Sequence, residues 1–165
     1  MVNRASLLLF FRRMLRPAML VAVVLCGMPV SGAGARALPL DQIKLPDGFR
    51  IDVYAEGLSG ARSMARGPKG TIFVGSRNNG QVRAVIDHDG DQRADEVVVI
   101  AQGLAMPNGV AMRGGALYVA EVGRVLRFDD IEDHLYAPPV AAVVRNDLPR
   151  EAHHGWRYIG FGPDD

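Results

Sequence analysis

Residues 67–75 (Gly-Pro-Lys-Gly-Thr-Ile-Phe-Val-Gly) return in altered form about 45 residues later, as residues 113–120 (Arg-Gly-Gly-Ala-Leu-Tyr-Val-Ala). Both copies join a glycine-containing turn to a short apolar run that is typical of a β-strand. A third copy opens at residues 162–165 (Gly-Pro-Asp-Asp) and has no strand after it. A turn followed by a short strand, repeated at this period, is typical of one blade of a β-propeller.

The repeat extends to the segments on either side of this motif. Gly-Leu at 57–58 precedes the run 62–65, and Gly-Leu at 103–104 precedes the run 108–111. We predict strands over residues 49–55, 71–75, 82–86, 97–101, 117–121, 125–128 and 140–144, with shorter candidates at 63–66 and 109–112. Each unit therefore has about four strands and cannot bury both faces of its sheet by itself, so successive units must pack face to face.

The predicted fold is all-β, an incomplete β-propeller of about two four-stranded blades plus the start of a third, over residues 38–165. Closed propellers need roughly four to eight blades. Two blades leave an apolar face uncovered. We therefore expect the chain to be the N-terminal portion of a longer propeller or the product of a prematurely ended reading frame.

Residues 1–37 have the pattern of a secretory signal peptide, which would form a signal helix before the propeller. Basic residues open the segment, residues 19–28 are apolar, and small side chains at 35–37 suit a cleavage site. An uncleaved anchor is the alternative, and the Arg12-Arg13 pair raises twin-arginine export. We expect a periplasmic or secreted protein with no stable membrane insertion after the signal is cleaved.

Composition excludes two classes of function for residues 38–165. The only cysteine is Cys26, so this part of the chain has neither disulfides nor thiol chemistry. Residues 1–37 hold five of the 19 basic residues and no acid, which leaves 14 basic against 18 acidic residues and a net charge of about −4. A mildly acidic chain poor in aromatic residues is not expected to bind nucleic acid.

The segment 152–164 contains two of the four histidines and the single tryptophan. A histidine at the start of an inner propeller strand would point into the central channel. Its imidazole could there take a proton from a substrate hydroxyl near neutral pH. The alternative is a histidine that caps a turn and bonds to the backbone.

An acidic loop is the second candidate site. Asp87, Asp89, Asp91 and Asp95 fall at relative positions 1, 3, 5 and 9 of a glycine-bearing segment. Calcium ions take six or more oxygen ligands from loops of this kind. The glycine lies at position 4 and no glutamate closes the loop, so an acidic turn between strands is the alternative to a structural calcium site.

Two charged residues occupy matching places in the repeat. Arg77 and Glu121 each follow the predicted strand of the repeated motif. Both could face a ligand in the channel, or both could be solvated turn residues.

Several of these phrases together resemble the glucose/sorbosone dehydrogenase family. They are Leu-Pro-Asp-Gly-Phe at 45–49, the run 62–77, His-Gly-Trp-Arg at 154–157 and Phe-Gly-Pro-Asp at 161–164. The resemblance covers residues 38–165, and the sorbosone dehydrogenases are the most similar branch. It implies an exported propeller of about six blades. Many family members oxidise sugars with pyrroloquinoline quinone (PQQ) and pass the electrons to an external acceptor.

The same resemblance implies a role for one histidine. In the family the catalytic base lies eight residues before the glycine of the Gly-Pro-Asp turn, which corresponds to His154. It would take the hydroxyl proton of a small sugar while hydride passes from the sugar's C1 carbon to the quinone. Arg157, Trp156 and Arg77 are the expected contacts to the cofactor.

The chain also departs from the family pattern. Soluble glucose enzymes carry small residues where this chain has Trp156 and Arg157, so the fit of substrate beside the base is expected to differ. The family's calcium ligands and the basic residues that hold its quinone lie further along the chain, and nothing here matches them. We therefore expect this 165-residue chain to be inactive by itself.

Two alternative functions remain open. A lactonase-like hydrolase would use a channel metal and water, with Glu121 and Asn108 as the first members of its ligand cluster. A non-catalytic propeller would bind a partner on its rim, because fold does not fix function.

Overall fold

The structure is a computed structural model that describes residues 38–163. The predicted signal peptide and the last two residues of the chain lie outside this range. The described residues form eight strands: β1 Ala61–Arg66, β2 Ile72–Ser76, β3 Val82–Ile86, β4 Glu96–Ala101, β5 Gly109–Arg113, β6 Ala116–Ala120, β7 Val125–Phe128 and β8 Ala142–Arg145. The helices among them are single 3-10 turns, Leu40–Gln42 and Ile131–Asp133, and none is long and apolar enough to cross a bilayer.

The strands form two four-stranded antiparallel sheets. One has the order β1-β2-β3-β4 and the other β5-β6-β7-β8, so each strand pairs with its neighbour in sequence. We call these sheets blade 1 and blade 2. Each copy of the repeated motif, at 67–75 and at 113–120, lies within one blade, which confirms the predicted all-β fold of two four-stranded units.

Turn chemistry explains the tightest connection. Arg113 pairs with Ala116 across the β5–β6 hairpin, which leaves Gly114 and Gly115 as the two turn residues. Both have positive φ, 56° and 80°. A two-residue hairpin turn of this hand needs that conformation, and glycine adopts it without strain.

The hydrophobic core lies between the two blades. Blade 1 contributes Phe73, Val82, Ala84, Ile86 and Ile100, and blade 2 contributes Val110, Leu117, Val119, Leu126 and Phe128. Alternate residues of each strand thus point to a shared interior, and each blade covers one face of the other.

Polar contacts fix the two blades at their inner strands. The Ser63 hydroxyl donates to the Asn108 carbonyl oxygen and accepts from the Val110 amide at 3.2 Å. The Ser76 amide donates to the Pro107 carbonyl oxygen at 2.9 Å. A Cβ on Gly75 of β2 would lie 2.5 Å from the carbonyl oxygen of Asn108, the residue before β5. Position 75 therefore requires glycine, because the backbone leading into β5 passes so close to it.

The predicted strand at residues 49–55 is wrong. This segment alternates apolar and polar side chains, but it is not part of either sheet. Within the described chain, the Ala94 amide anchors it by donating to the Tyr54 carbonyl oxygen at 2.8 Å. The predicted strand at 140–144 also begins too early, since β8 is Ala142–Arg145 and Val140 is 99% exposed.

The start of the third repeat lies beside β5. A Cβ on Gly109 would be 2.7 Å from the Arg157 carbonyl oxygen and 3.0 Å from the Ile159 nitrogen. The Phe161 ring meets the Tyr118 ring edge-on at 4.9 Å between centroids. Residues 157–161 therefore contact β5 as β5 contacts β1, although they are not assigned to a strand.

Candidate functional site

Three of the predicted site residues meet at one end of the inner strands. Arg77 directly follows β2, while His154 and Trp156 lie in the segment after β8. The Arg77 guanidinium carbon is 4.0 Å from the centroid of the Trp156 ring, and the His154 ring centroid is 5.3 Å from that of Trp156. The His153 ring lies 4.3 Å from the His154 ring. We call these four residues the His–Trp–Arg cluster.

A tight turn presents the two histidines. The Gly155 amide donates to the Ala152 carbonyl oxygen at 3.2 Å, and Gly155 is buried where a side chain would collide with the Glu151 carbonyl oxygen. His154 has a φ of 54°, in the left-handed region that non-glycine residues seldom occupy. Its side chain is exposed, so the strained backbone holds an imidazole in solvent rather than in the core.

Arg77 carries an unsatisfied donor. Its Nε atom is buried, and nothing in residues 38–163 accepts a hydrogen bond from it. The guanidinium stacks on Trp156, a cation–π contact that orients the charge but does not satisfy that N–H. The Arg77 charge is thus held against the Trp156 ring, with its Nε donor unsatisfied in the described residues.

Arg157, also predicted to contact a ligand, has other partners. Its Nε donates to the Val122 carbonyl oxygen at 3.0 Å, and its Nη2 donates to the Pro149 carbonyl oxygen at 2.8 Å. These bonds tie the segment after β8 to the turn after β6. Arg157 thus braces the loop that carries His154.

Glu121 is buried and fully engaged. It is 2% exposed, accepts the Ala105 amide at 2.6 Å and forms an ion pair with Arg124. The Asn108 side-chain amide donates to the Arg157 carbonyl oxygen at 2.8 Å. Among residues 38–163, Glu121 belongs to no group of three or more histidine, cysteine or acidic side chains whose ligand atoms lie close together.

The acidic loop lies between β3 and β4 of blade 1, away from the His–Trp–Arg cluster. Oxygens of Asp87, Asp89 and Asp95 come within 4.8 Å of one another, and Asp91 is outside this group. Asp87 accepts the amides of Gly90 at 2.7 Å and Gln92 at 3.0 Å, so the loop also satisfies its carboxylates internally. The loop also affects a neighbouring phenol. Burial raises the pKa of Tyr54, and the negative charge of the Asp87 carboxylate raises it further.

Sequence reasoning missed two residues beside the cluster. A cavity of about 450 Å³ borders Trp156 and is lined by Ala61, Arg62, Ser63, Asn108, Trp156 and Tyr158. Arg62 and Tyr158 had not been predicted as site residues. The repeat held the signal for both, because equivalent places in successive units come together. Arg62 lies at the start of β1 and Asn108 directly precedes β5, while Tyr158 lies in the segment that packs beside β5.

Comparisons with known proteins show the fold. No protein-family model and no curated protein matches the chain. The PQQ domain of pyranose dehydrogenase from Coprinopsis cinerea, solved in its holo form, is similar with a TM-score of 0.63 and 15% identity over 73% of this chain. The PQQ-bound aldose sugar dehydrogenase from Streptomyces coelicolor is similar with a TM-score of 0.51 and 19% identity over 69%.

A third similar structure is a carbohydrate-active enzyme of family AA12 from Trichoderma reesei, with a TM-score of 0.52 and 22% identity over 62% of this chain. The chain spans 29%, 27% and 38% of the lengths of the Coprinopsis, Trichoderma and Streptomyces chains, respectively. Together with the two sheets, these likenesses confirm the predicted incomplete β-propeller.

Proposed function

We propose that the chain is part of an exported, PQQ-dependent dehydrogenase that oxidises an alcohol or aldehyde group of a small sugar, of the sorbosone or aldose type. The observation that carries the proposal is the His–Trp–Arg cluster. It combines an exposed imidazole, an indole ring and a guanidinium with an unsatisfied buried N–H. The likeness to two structures described as PQQ proteins supports the choice of cofactor.

The cluster fits the chemistry of this cofactor. PQQ is a flat aromatic tricarboxylic acid, and it supplies a two-electron acceptor for hydride when bound. The Trp156 ring offers a flat apolar contact, and Arg77 offers a charged donor beside it. A carboxylate of the cofactor would pair with the charged Arg77 guanidinium through a charge-assisted hydrogen bond.

His154 is proposed as the general base. A neutral imidazole accepts the proton of the substrate hydroxyl at one ring nitrogen as hydride leaves the same carbon, which becomes a carbonyl carbon. The exposed ring can reach a bound sugar, and Trp156 limits its movement on one side. Arg157 positions this base by fixing the loop through Val122 and Pro149.

Cofactor binding is the direct test. Trp156 is the only tryptophan in the sequence, so its fluorescence reports on the cluster alone. We expect PQQ to quench this emission saturably, and Arg77→Gln to weaken the effect. Lys44→Gln, an exposed cation outside the cluster, is the matched control. Quenching that is linear in PQQ, or equal in the Arg77 variant and the wild type, would contradict the proposed cofactor site.

Turnover requires the rest of the site. The 165-residue chain is expected to reduce no dye with sugar, PQQ and calcium, because its two blades provide only one wall of the site. In a form of the protein that completes the ring, His154→Asn should lower kcat by about 10²- to 10⁴-fold. Asparagine tolerates the left-handed backbone, so folding is retained. Unchanged turnover in this variant would exclude His154 as the base.

The acidic loop is proposed to bind calcium in a structural role, through Asp87, Asp89 and Asp95. Calcium should raise the unfolding midpoint of the wild type and not that of Asp89→Asn, because only a bound ion links the midpoint to its concentration. Equal midpoints with calcium and with chelator would show that the loop is an acidic turn. The signal-peptide pattern of residues 1–37 supports the proposed export to the periplasm or the medium.

A further inference from the structure

The cavity beside Trp156 has a charge that no neighbour balances. It measures about 450 Å³, and none of its six lining residues is acidic. Arg62 supplies its only formal charge. The cavity is open to solvent and lined mainly by polar groups, so a ligand here would be held by those groups and by the two aromatic rings.

The Arg62 guanidinium is exposed and has no hydrogen-bond or ion-pair partner within residues 38–163. Several other arginines of the chain do have an acceptor, such as Arg124 on Glu121 and Arg145 on Asp147. The sequence offers Arg62 no such residue on its own strand, β1. The charge is therefore available to a ligand in the cavity.

Two aromatic side chains form the other walls. Tyr158 is 81% exposed, so its ring is open to a ligand, and Trp156, which also lines the cavity, lies against both Arg77 and His154. Aromatic faces pack well against the apolar faces of ring-shaped ligands. A ligand held here lies next to the proposed base.

We propose that this cavity is a subsite for a ring-shaped ligand that carries a carboxylate, and that Arg62 binds the carboxylate. The inference rests on the proposed function for its link to His154. Two sources share this chemistry: an acidic sugar substrate, such as a uronic acid, and the carboxylated cofactor. The guanidinium would form a bidentate, charge-assisted pair with either one.

The test uses Trp156 fluorescence in the 165-residue chain, with glucuronate, glucose and PQQ as separate probes. Arg62→Gln removes the charge and leaves a shorter, neutral polar side chain. Arg66→Gln is the matched control, because Arg66 lies on the same strand but does not line the cavity. Circular dichroism confirms that each variant folds, and wild-type binding measured at rising salt gives a readout that needs no variant.

We expect glucuronate to bind about fivefold to tenfold more weakly to Arg62→Gln, as is usual for losing one partly exposed charged contact. Arg66→Gln should bind like the wild type, and added salt should weaken glucuronate but not glucose. If PQQ rather than glucuronate depends on Arg62, the carboxylate is the cofactor's and the subsite stands. If neither probe depends on Arg62, the subsite is refuted.

The two proposals fail in different ways. Arg62-dependent binding of glucuronate, with no quenching by PQQ, would uphold the subsite and contradict the proposed function. Saturable PQQ quenching that ignores Arg62, with no binding of glucuronate, would uphold the cofactor site and refute the subsite.

Discussion

Arg77 and Glu121 are the first residues after the second strand of their blades, and they show opposite states of the same repeat position. Glu121 is buried and bonded to the Ala105 amide and to Arg124. Arg77 has a buried Nε without an acceptor in residues 38–163, and its guanidinium stacks on Trp156. A charge that the fold satisfies serves stability, whereas the charge that the fold leaves partly unsatisfied is the one we propose for binding.

The largest effect is expected from Glu121→Ala. It leaves the Ala105 amide without its acceptor and removes the partner of Arg124, so the free energy of unfolding should fall by about 3 kcal/mol. Glu121→Gln keeps an acceptor for the amide and should lose about half as much. Urea unfolding followed by circular dichroism measures both. A loss below that of Arg77→Gln would break the comparison between the two positions.

Arg77→Gln is expected to have the next largest effect, on affinity rather than on stability. Removing the stacked cation should change the free energy of unfolding by no more than about 1 kcal/mol. Affinity for PQQ should fall about tenfold or more, the usual result of losing a hydrogen bond between charged groups. The same urea curves and the Trp156 titration provide the two numbers.

The outcome that would count against this interpretation is the converse pattern. If Arg77→Gln destabilised the chain and left PQQ binding intact, Arg77 would be a packing residue like Glu121. Arg77 would then give no support to a ligand site beside Trp156.

Local sequence predicted the strands well because each blade is built from neighbours in sequence. The runs at 82–86 and 125–128 matched β3 and β7 in full. The predicted strand over residues 49–55 was wrong because alternating apolar and polar residues indicate which side chains share a face but do not identify a strand to pair with. Their pattern is that of a strand, and only the sheet order shows that they belong to neither blade.

The site was predicted less completely, for a physical reason. Sequence motifs picked out Arg77 and Trp156 separately, but their contact depends on how one blade packs on the next. The same packing gives Arg157 two carbonyl partners and leaves Arg62 beside the cavity. Contacts between blades join residues far apart in sequence, so spacing along the chain does not reveal them.

A third charged group, Glu96, separates the effect of having hydrogen-bond partners on stability from the effect of being buried. Glu96, at the outer edge of blade 1, accepts a hydrogen bond from the Tyr136 hydroxyl of blade 2 at 2.8 Å and lies 3.2 Å from His88. It is satisfied like Glu121, but Tyr136 is 69% exposed. Since water can replace an exposed partner, Tyr136→Phe should have the smallest effect of the three on the unfolding midpoint.

The pH dependence gives this last variant a signature of its own. The hydrogen bond to Glu96 raises the pKa of the Tyr136 phenol above its ordinary value of 10.0. The protonated phenol is the donor, so its contribution is complete below pH 10 and is lost as the pH rises through the raised pKa of the folded state. Unfolding midpoints from about pH 8 to about pH 12 should therefore fall more steeply in the wild type than in Tyr136→Phe. Parallel curves would mean that the Tyr136–Glu96 hydrogen bond contributes nothing to stability. Burial, rather than hydrogen bonding alone, would then distinguish Glu121 from Glu96.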